Sequence, residues 1–374
     1  MTKDTKEIVN RHAERLKNTH QPRPPEERDK KWFESIKHDN NENKQFLTPH
    51  RITNENGDEL LESIVNYNNI VNIIRDLKTN TAAGDDGIDN KTIKQLPKNA
   101  LELLTIIFDI SIQVGFFPSP WKRARVKMVL KAGKKSDDSA NYRPISLLSC
   151  VGKLLEKLLK QSIDLADKAN AIIPELHAGF RPKRSTQECF TRLGEQMVSV
   201  RKTKRVAATA FVDLEKCFDR LDHDVLKYRL RQLPLPSKTT RTIASFVTNR
   251  RLYVEENGIM SEEVTMASGA PQGAILSPTL YILYTHDAPL INDDDEGSSL
   301  YADDTALWTI GNNAREAVAL LQRRLSILED WCRRWRLHPA PTKTDIVAFS
   351  NSKTTSRQSG RDFDGKNDLM EIRC

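Results

Sequence analysis

The chain has 374 residues, 29% of them charged, and its 58 Lys and Arg outnumber its 51 Asp and Glu to give a net charge of +7. With 38% hydrophobic residues it can build a core, so wholesale disorder is excluded; at about 100–200 residues per domain the length suits two or three domains. The five cysteines are scattered without CxxC spacing, which argues against a disulfide scaffold or structural zinc and for a reducing compartment. No apolar run approaches the roughly 18 residues of a membrane helix, and the start lacks the apolar core of a secretory signal. These features predict a soluble, intracellular protein, in either nucleus or cytoplasm, whose basic surplus favours a polyanionic partner.

Residues 1–58 are polar, include the run QPRPPEERDKK and allow short helical stretches; without a sustained apolar face they read as a partly disordered lead-in or the worn edge of an upstream domain. Ile70, Val71, Ile73, Ile74 and Leu77 predict an amphipathic helix ending near Thr79. Leu101, Leu104, Ile107, Phe108 and Ile112 predict a second helix, running to Gly115. The segment WKRARVKMVLKAGKK reads as a strand of alternating basic and apolar residues followed by a glycine turn. Between Gly115 and Lys160, eleven basic residues face three acidic ones, a net of +8. A solvated face would explain such a run, but its interleaving with Val126, Met128 and Val129 favours a cation-lined groove.

Further along, Val206–Val212 reads as a buried strand that stops at Asp213. Asp222 is placed to cap a helix carrying Val225, Leu226, Leu230 and Leu233; Ser277 and Pro278 read as the N-cap and first residue of another. SSLYADDTALW reads as a hairpin with Asp303 and Asp304 at its tip. Val318, Leu321, Leu325, Leu328, Trp331 and Trp335 recur at helical spacing and predict a long core-facing helix. After Phe349 the sequence becomes a polar tail, residues 351–374, without periodicity.

The sharpest chemical signal is the pairing of strand-end carboxylates. Asp213 ends one strand, and Asp303 with Asp304 turns a hairpin ninety residues later. On adjacent strands these ends would gather three acids, whose repulsion raises their pKa unless a cation neutralises them. Oxygen ligands without nearby Cys or His point to Mg²⁺, with Mn²⁺ as a second possibility. Two such ions about 4 Å apart are the arrangement for in-line phosphoryl transfer. Alone, an Asp-Asp pair also fits a solvated turn. The histidines His177, His223, His286 and His338 show no ligand spacing, and Cys217 reads as packing.

Ordered segments resemble reverse transcriptases. FVDLEKCFD (211–219), SGAPQGAILSPTLY (268–281), YADD (301–304) and TKTDIVAF (342–349) look like the four palm motifs. WKRARVKMVLKAGK (121–134), NYRPISLL (141–148) and AGFRPKRST (178–186) resemble the fingers motifs, and TAAGDDGI (81–88) a loop ahead of them. The likeness is to the non-LTR, LINE-type retrotransposons of the jockey group. It implies an α+β fold with right-hand polymerase fingers over 59–205 and a palm over 206–350, an antiparallel palm sheet backed by helices. It also implies an RNA-directed DNA polymerase that adds dNTPs to a DNA primer on an RNA template, with no membrane and no protein partner implied.

Carried over residue by residue, the resemblance makes Asp213, Asp303 and Asp304 the catalytic acids and metal ligands, with Lys343 as proton donor to pyrophosphate. Lys131 and Arg143 would grip the triphosphate, Gln272 and Gly273 would lie near the nascent base pair, and Phe218 would exclude a ribose 2′-OH. Arg181 and Arg184 would meet template or primer phosphates. Core packing alone would also explain Phe218. The sequence departs from the family pattern at MVLKAGK, where proline is usual, at His177 and Ala178 in a template-facing position, and at Ala340, where asparagine is usual. The family's upstream endonuclease and its thumb are both expected to be missing from this sequence. A truncated remnant that binds nucleic acid but catalyses little is the alternative, and an RNA-copying RNA polymerase a third reading that Phe218 opposes.

Overall fold

The strands build two separate sheets. The computed structural model describes residues 3–26, 29–42, 63–136, 138–350 and 357–359. In chain order its first elements are α1 (Lys3–Thr19), α2 (Lys30–Glu42), α3 (Tyr67–Arg75), α4 (Asn90–Lys94), α5 (Lys98–Gln113), β1 (Arg123–Leu130) and β2 (Tyr142–Leu147). There follow α6 (Cys150–Asn170), α7 (Thr186–Thr203), β3 (Val206–Val212), α8 (His223–Gln232), α9 (Ser237–Val247), β4 (Arg250–Glu256), β5 (Ile259–Met260) and β6 (Val264–Met266). The last are α10 (Leu276–Tyr284), β7 (Glu296–Tyr301), β8 (Asp304–Gly311), α11 (Ala314–Arg334), β9 (Asp345–Phe349) and β10 (Arg357–Ser359). Among the described residues no helix is long and apolar enough to cross a membrane.

The chain divides into two units, residues 1–172 with 218–280, and residues 173–217 with 281–374. This division differs from the contiguous boundary expected at 205/206, because residues 218–280 return to the first unit. There β1 runs antiparallel to β2 and parallel to β4, which also pairs with β5 and β6. The basic strand forms as expected, and three of its cations are paired with acids of the same unit. Arg123 pairs with Asp85 and Glu263, while Arg125 and Lys127 both meet Glu255, at 3.1 and 3.3 Å. Their acidic partners lie far away in sequence, so the local surplus of +8 overstated the free charge.

The N-terminal segment also departs from expectation. Residues 3–42 hold two helices, and α1 buries Val9, Ala13 and Leu16 together with His12, Thr19 and His20. It packs against β4, β5 and β6. Sparse apolar residues at i, i+4 and i+7, extended by buried polar side chains, make a face that hydropathy does not register. The rest of the expected lead-in, residues 43–58, and residues 351–356 and 360–374 of the tail lie outside the described residues.

In the second unit the sheet is wholly antiparallel, in the order β10-β9-β3-β8-β7. Helices α7 and α11 back it: Val200 and Met197 of α7 pack with Ala207, Ile310 and Phe349. Asn313 caps α11, whose inner stripe of Leu321, Leu325 and Leu328 is buried as the periodicity predicts.

Two helix starts show how caps are assigned. The Asp222 carboxylate accepts the N–H groups of Asp224 and Val225 at 2.9 and 3.0 Å, as expected. Ser277 is not an N-cap: α10 begins one residue earlier, and the Ser277 hydroxyl donates to the Pro271 carbonyl at 2.9 Å. The cap comes from α6, where the buried Glu156 carboxylate accepts the N–H groups of Ile275 at 2.6 Å and Leu276 at 3.1 Å.

Two buried imidazoles give the fold an acid limit. Burial, and then Arg181, lowers His177 to about 4; burial lowers His223 to about 4 despite its hydrogen bond to the Gly269 carbonyl and the charge of Asp222. Both rings therefore fold neutral. Because their folded pKa is depressed, their stabilisation is complete above the ordinary 6.5 and is lost as pH falls from there towards 4. Each ring costs on the order of 3 kcal/mol across that window. Urea denaturation at pH 7 and pH 4.5 should show this loss in each unit, and His177→Gln should flatten the pH slope of the second. An unchanged slope would contradict the assignment.

Candidate active site

The middle strand of the second sheet ends in the carboxylate expected there. β3 pairs with β8 through Val212 and Thr305, so one further step of register sets Asp213 opposite Asp304. On the other side β3 pairs with β9 through Phe211 and Asp345, and the same register continued reaches Lys343. Residues 338–340 run alongside 213–215: the Asp213 carbonyl accepts the Ala340 N–H, and the Glu215 N–H donates to the His338 carbonyl, both at 2.8 Å. This brings up Lys343, whose ammonium donates to the Asp213 carboxylate.

Asp303 owes its position to a strained turn. Tyr301 and Asp304 form the last pair of the β7–β8 hairpin, leaving the two-residue turn Ala302–Asp303. Ala302 has φ +59°, a left-handed conformation that costs an alanine about 1 kcal/mol or more. The turn is held from outside: a Cβ on Gly179 would lie 2.1 Å from the Ala302 nitrogen, so the AGF backbone sits directly against it. Next to it, the Ala178 N–H donates to the Leu300 carbonyl at 2.9 Å. His177 and Ala178, which depart from the family pattern, are both buried, and His177 Nε2 bonds the Thr285 hydroxyl at 3.2 Å.

The four charged groups sense one another. Partial burial, then the charges of Asp303 and Asp213, push the Asp304 carboxyl up, and Lys343 pulls it back. The hydrogen bond to Asp213 raises Lys343, assisted by the charges of Asp213, Asp303 and Glu215. Such a cluster of carboxylate oxygens favours a hard cation in kind. The gathered three-aspartate ligand set expected from sequence is not seen, however. Among the described residues no group of three or more His, Cys, Asp or Glu could hold a metal ion, and the ammonium of Lys343 occupies Asp213 instead.

The arginines expected to meet phosphates are engaged within the chain. Arg181 donates to the Pro174 carbonyl at 3.0 Å, and Arg184 pairs with Glu188. The remaining expected residues belong to the first unit. Val129 and Arg143 are cross-strand partners on β1 and β2, and Lys131, two residues beyond Val129, shares their face by strand parity. Arg143 is exposed, while the Lys131 ammonium donates to the Ala140 carbonyl at 2.9 Å. Half-buried Phe218 accepts the Ala270 N–H through its carbonyl at 2.8 Å. Gln272 Nε2 donates to Asp219 at 2.7 Å, and its carbonyl accepts the Ser146 N–H at 2.8 Å. Gly273 has φ +116° and lies against Ser146, where a Cβ would stand 2.7 Å from the carbonyl oxygen.

These segments carry a shared signature: residues 132–363 match the family model for reverse transcriptase (RNA-dependent DNA polymerase). The chain belongs to the reverse transcriptase family. It is 33% identical over 295 residues to the "RNA-directed DNA polymerase from mobile element jockey" of Drosophila melanogaster, covering 77% of this chain and 32% of that protein. It is 35% identical over 287 residues to the "Probable RNA-directed DNA polymerase from transposon BS" of the same species, covering 75% of this chain and 32% of the relative. The chain thus spans about a third of the length of these relatives. Reverse transcriptases generally use divalent metal ions.

Three further residues were not singled out from the sequence. Burial, with Cys217, Asp303 and Cys332 nearby, pushes the Tyr281 phenol well up, so it stays neutral. His20 and Glu156 reach the SGAPQG loop and its following helix from distant segments. A capping acid could have been sought for α10, but nothing local names Glu156.

Proposed function

We propose that the chain is the RNA-directed DNA polymerase core of a non-LTR retrotransposon, joining dNTPs to a primer 3′-OH on an RNA template. One observation carries the reading: Asp213, Asp303 and Asp304 are electrostatically coupled at one sheet end in a chain of this family. Asp213 and Asp303 would hold two divalent ions, Mg²⁺ or Mn²⁺, with Asp304 as the third acid. Bound there, the ions would supply charge neutralisation for the attacking oxygen and the leaving pyrophosphate. Lys343, which lies next to Asp213, would donate a proton to the departing pyrophosphate once it is released from that carboxylate.

Lys131 and Arg143 hold the triphosphate, which their common face on the β1–β2 hairpin supports. Gln272 is fixed by Asp219 and Ser146 and contacts the nascent base pair, with Gly273 admitting close backbone approach. Arg181 and Arg184 stand near the nucleic-acid backbone. The Phe218 ring meets the sugar and excludes a 2′-OH, so Phe218→Ala should raise ribonucleotide incorporation by about 10- to 100-fold while dNTP use changes little. Single-nucleotide extension with matched dNTP and rNTP checks this. Equal rNTP use by the parent chain would favour an RNA-copying polymerase instead.

A further inference from the structure

We propose that α1 is a positioning element for the incoming nucleotide, acting through His20 on the loop that carries Gln272. The proposal rests on the polymerase reading above and concerns residues of the first unit alone. Segment 267–273 contributes Gln272 and Gly273, yet apart from one β-bridge between Ser268 and Asp222 it consists of turns and bends. Its conformation is set by what it touches, and its first contact is the end of α1.

The carbonyl of His20 accepts the N–H groups of Ala267 at 3.2 Å and Ser268 at 2.9 Å. Its side chain returns to the same place: Nδ1 lies 3.2 Å from the Asp219 carbonyl and 3.1 Å from the Ser268 carbonyl. Both are acceptors, so Nδ1 carries the proton and donates to each. Gly269 completes the junction with φ +86°; a Cβ there would lie 2.3 Å from the Asp219 carbonyl oxygen and 2.8 Å from His20 Nδ1. His20 is buried, so these bonds are made without competing water.

Asp219 relays the position onward. Its carbonyl receives His20 and its carboxylate receives Gln272, so one residue joins the α1 terminus to the amide expected at the base pair. The same helix supports a second substrate segment. The His12 ring packs edge-on to Tyr142 with centroids 4.8 Å apart, and Arg15 donates to the Tyr142 carbonyl at 3.3 Å, one residue before Arg143. A single helix thus fixes the loop of Gln272 and the start of the strand bearing Arg143. A segment that reads as a lead-in therefore acts on nucleotide affinity, through positions and not through contact with the substrate.

The test is steady-state primer extension with varied dNTP, using the full chain and His20→Ala, His20→Asn and His20→Gln. An asparagine amide places an N–H where Nδ1 stands, whereas a glutamine amide places it where Nε2 stands. His20→Ala should raise KM for dNTP about tenfold with kcat within about threefold, and His20→Asn should recover most of the loss. Where alanine prevents folding, His20→Asn must still outperform His20→Gln. A dNTP KM within about twofold of the parent in His20→Ala, or no advantage of Asn over Gln, overturns the proposal. If the parent extends no primer, the polymerase reading fails, and positioning is judged by amide exchange of residues 267–273. Exchange should be faster in His20→Gln than in His20→Asn, which should match the parent; equal exchange in all three overturns it.

Discussion

Asp303→Asn is expected to reduce RNA-templated primer extension by a factor on the order of 10³ while the fold stays intact. Asp303 sits in the two-residue turn of the β7–β8 hairpin, half-exposed. Asparagine keeps the size of the side chain and is at home in turns, so Ala302 and the strand register are undisturbed. The change is therefore one of charge. Removing that charge takes away the larger of the two carboxylate influences that raise Asp304, so the Asp304 carboxyl should titrate closer to its ordinary value. Single-turnover extension reads the first effect and carboxyl NMR the second. Extension at the parent rate, beside a shifted Asp304, would mean that the cluster is electrostatically coupled but not catalytic.

Glu156→Ala is expected to cost the first unit about 3–5 kcal/mol of stability. The carboxylate is buried on α6 and accepts two N–H groups at the start of α10. Burial pushes its carboxyl up, and the charge of Arg250 pulls it down most strongly. Arg250 is itself buried and lowered to about 10, with its guanidinium 4.6 Å from the Phe246 ring and bonded to the Phe246 carbonyl. Alanine removes the counter-charge of a buried cation and two caps at once. Glu156→Gln keeps an acceptor for the N–H groups and should lose less than alanine. Urea denaturation of the three proteins measures both steps; a loss below about 1 kcal/mol for alanine would show that the buried carboxylate contributes little net stability.

The parts of this fold that could be read in advance are those made by local periodicity. β3 stops at Val212 because the apolar run stops there, and α11 follows from Leu321, Leu325 and Leu328 at helical spacing. The acidic cluster was legible for the same reason, since strand ends and a hairpin tip fix Asp213, Asp303 and Asp304. What escaped depends on partners distant in sequence. Glu255 and Glu263 neutralise a strand that looks basic alone, and Lys343 takes Asp213 where a gathered ligand set was expected. His20 is a polar residue in a polar segment until Asp219, some two hundred positions away, supplies its acceptor. Nor does any local pattern send residues 218–280 back to the unit of residues 1–172.

The proposed activity is the copying of RNA into DNA. The most direct measurement is extension of a labelled DNA primer on an RNA template by the 374-residue chain, with dNTPs and Mg²⁺ or Mn²⁺, before and after chelation. The account predicts template-complementary DNA that chelation prevents and added metal restores. Salt-sensitive binding of the primer–template without extension, in either metal, would contradict it and leave a protein that holds nucleic acid but does not copy it.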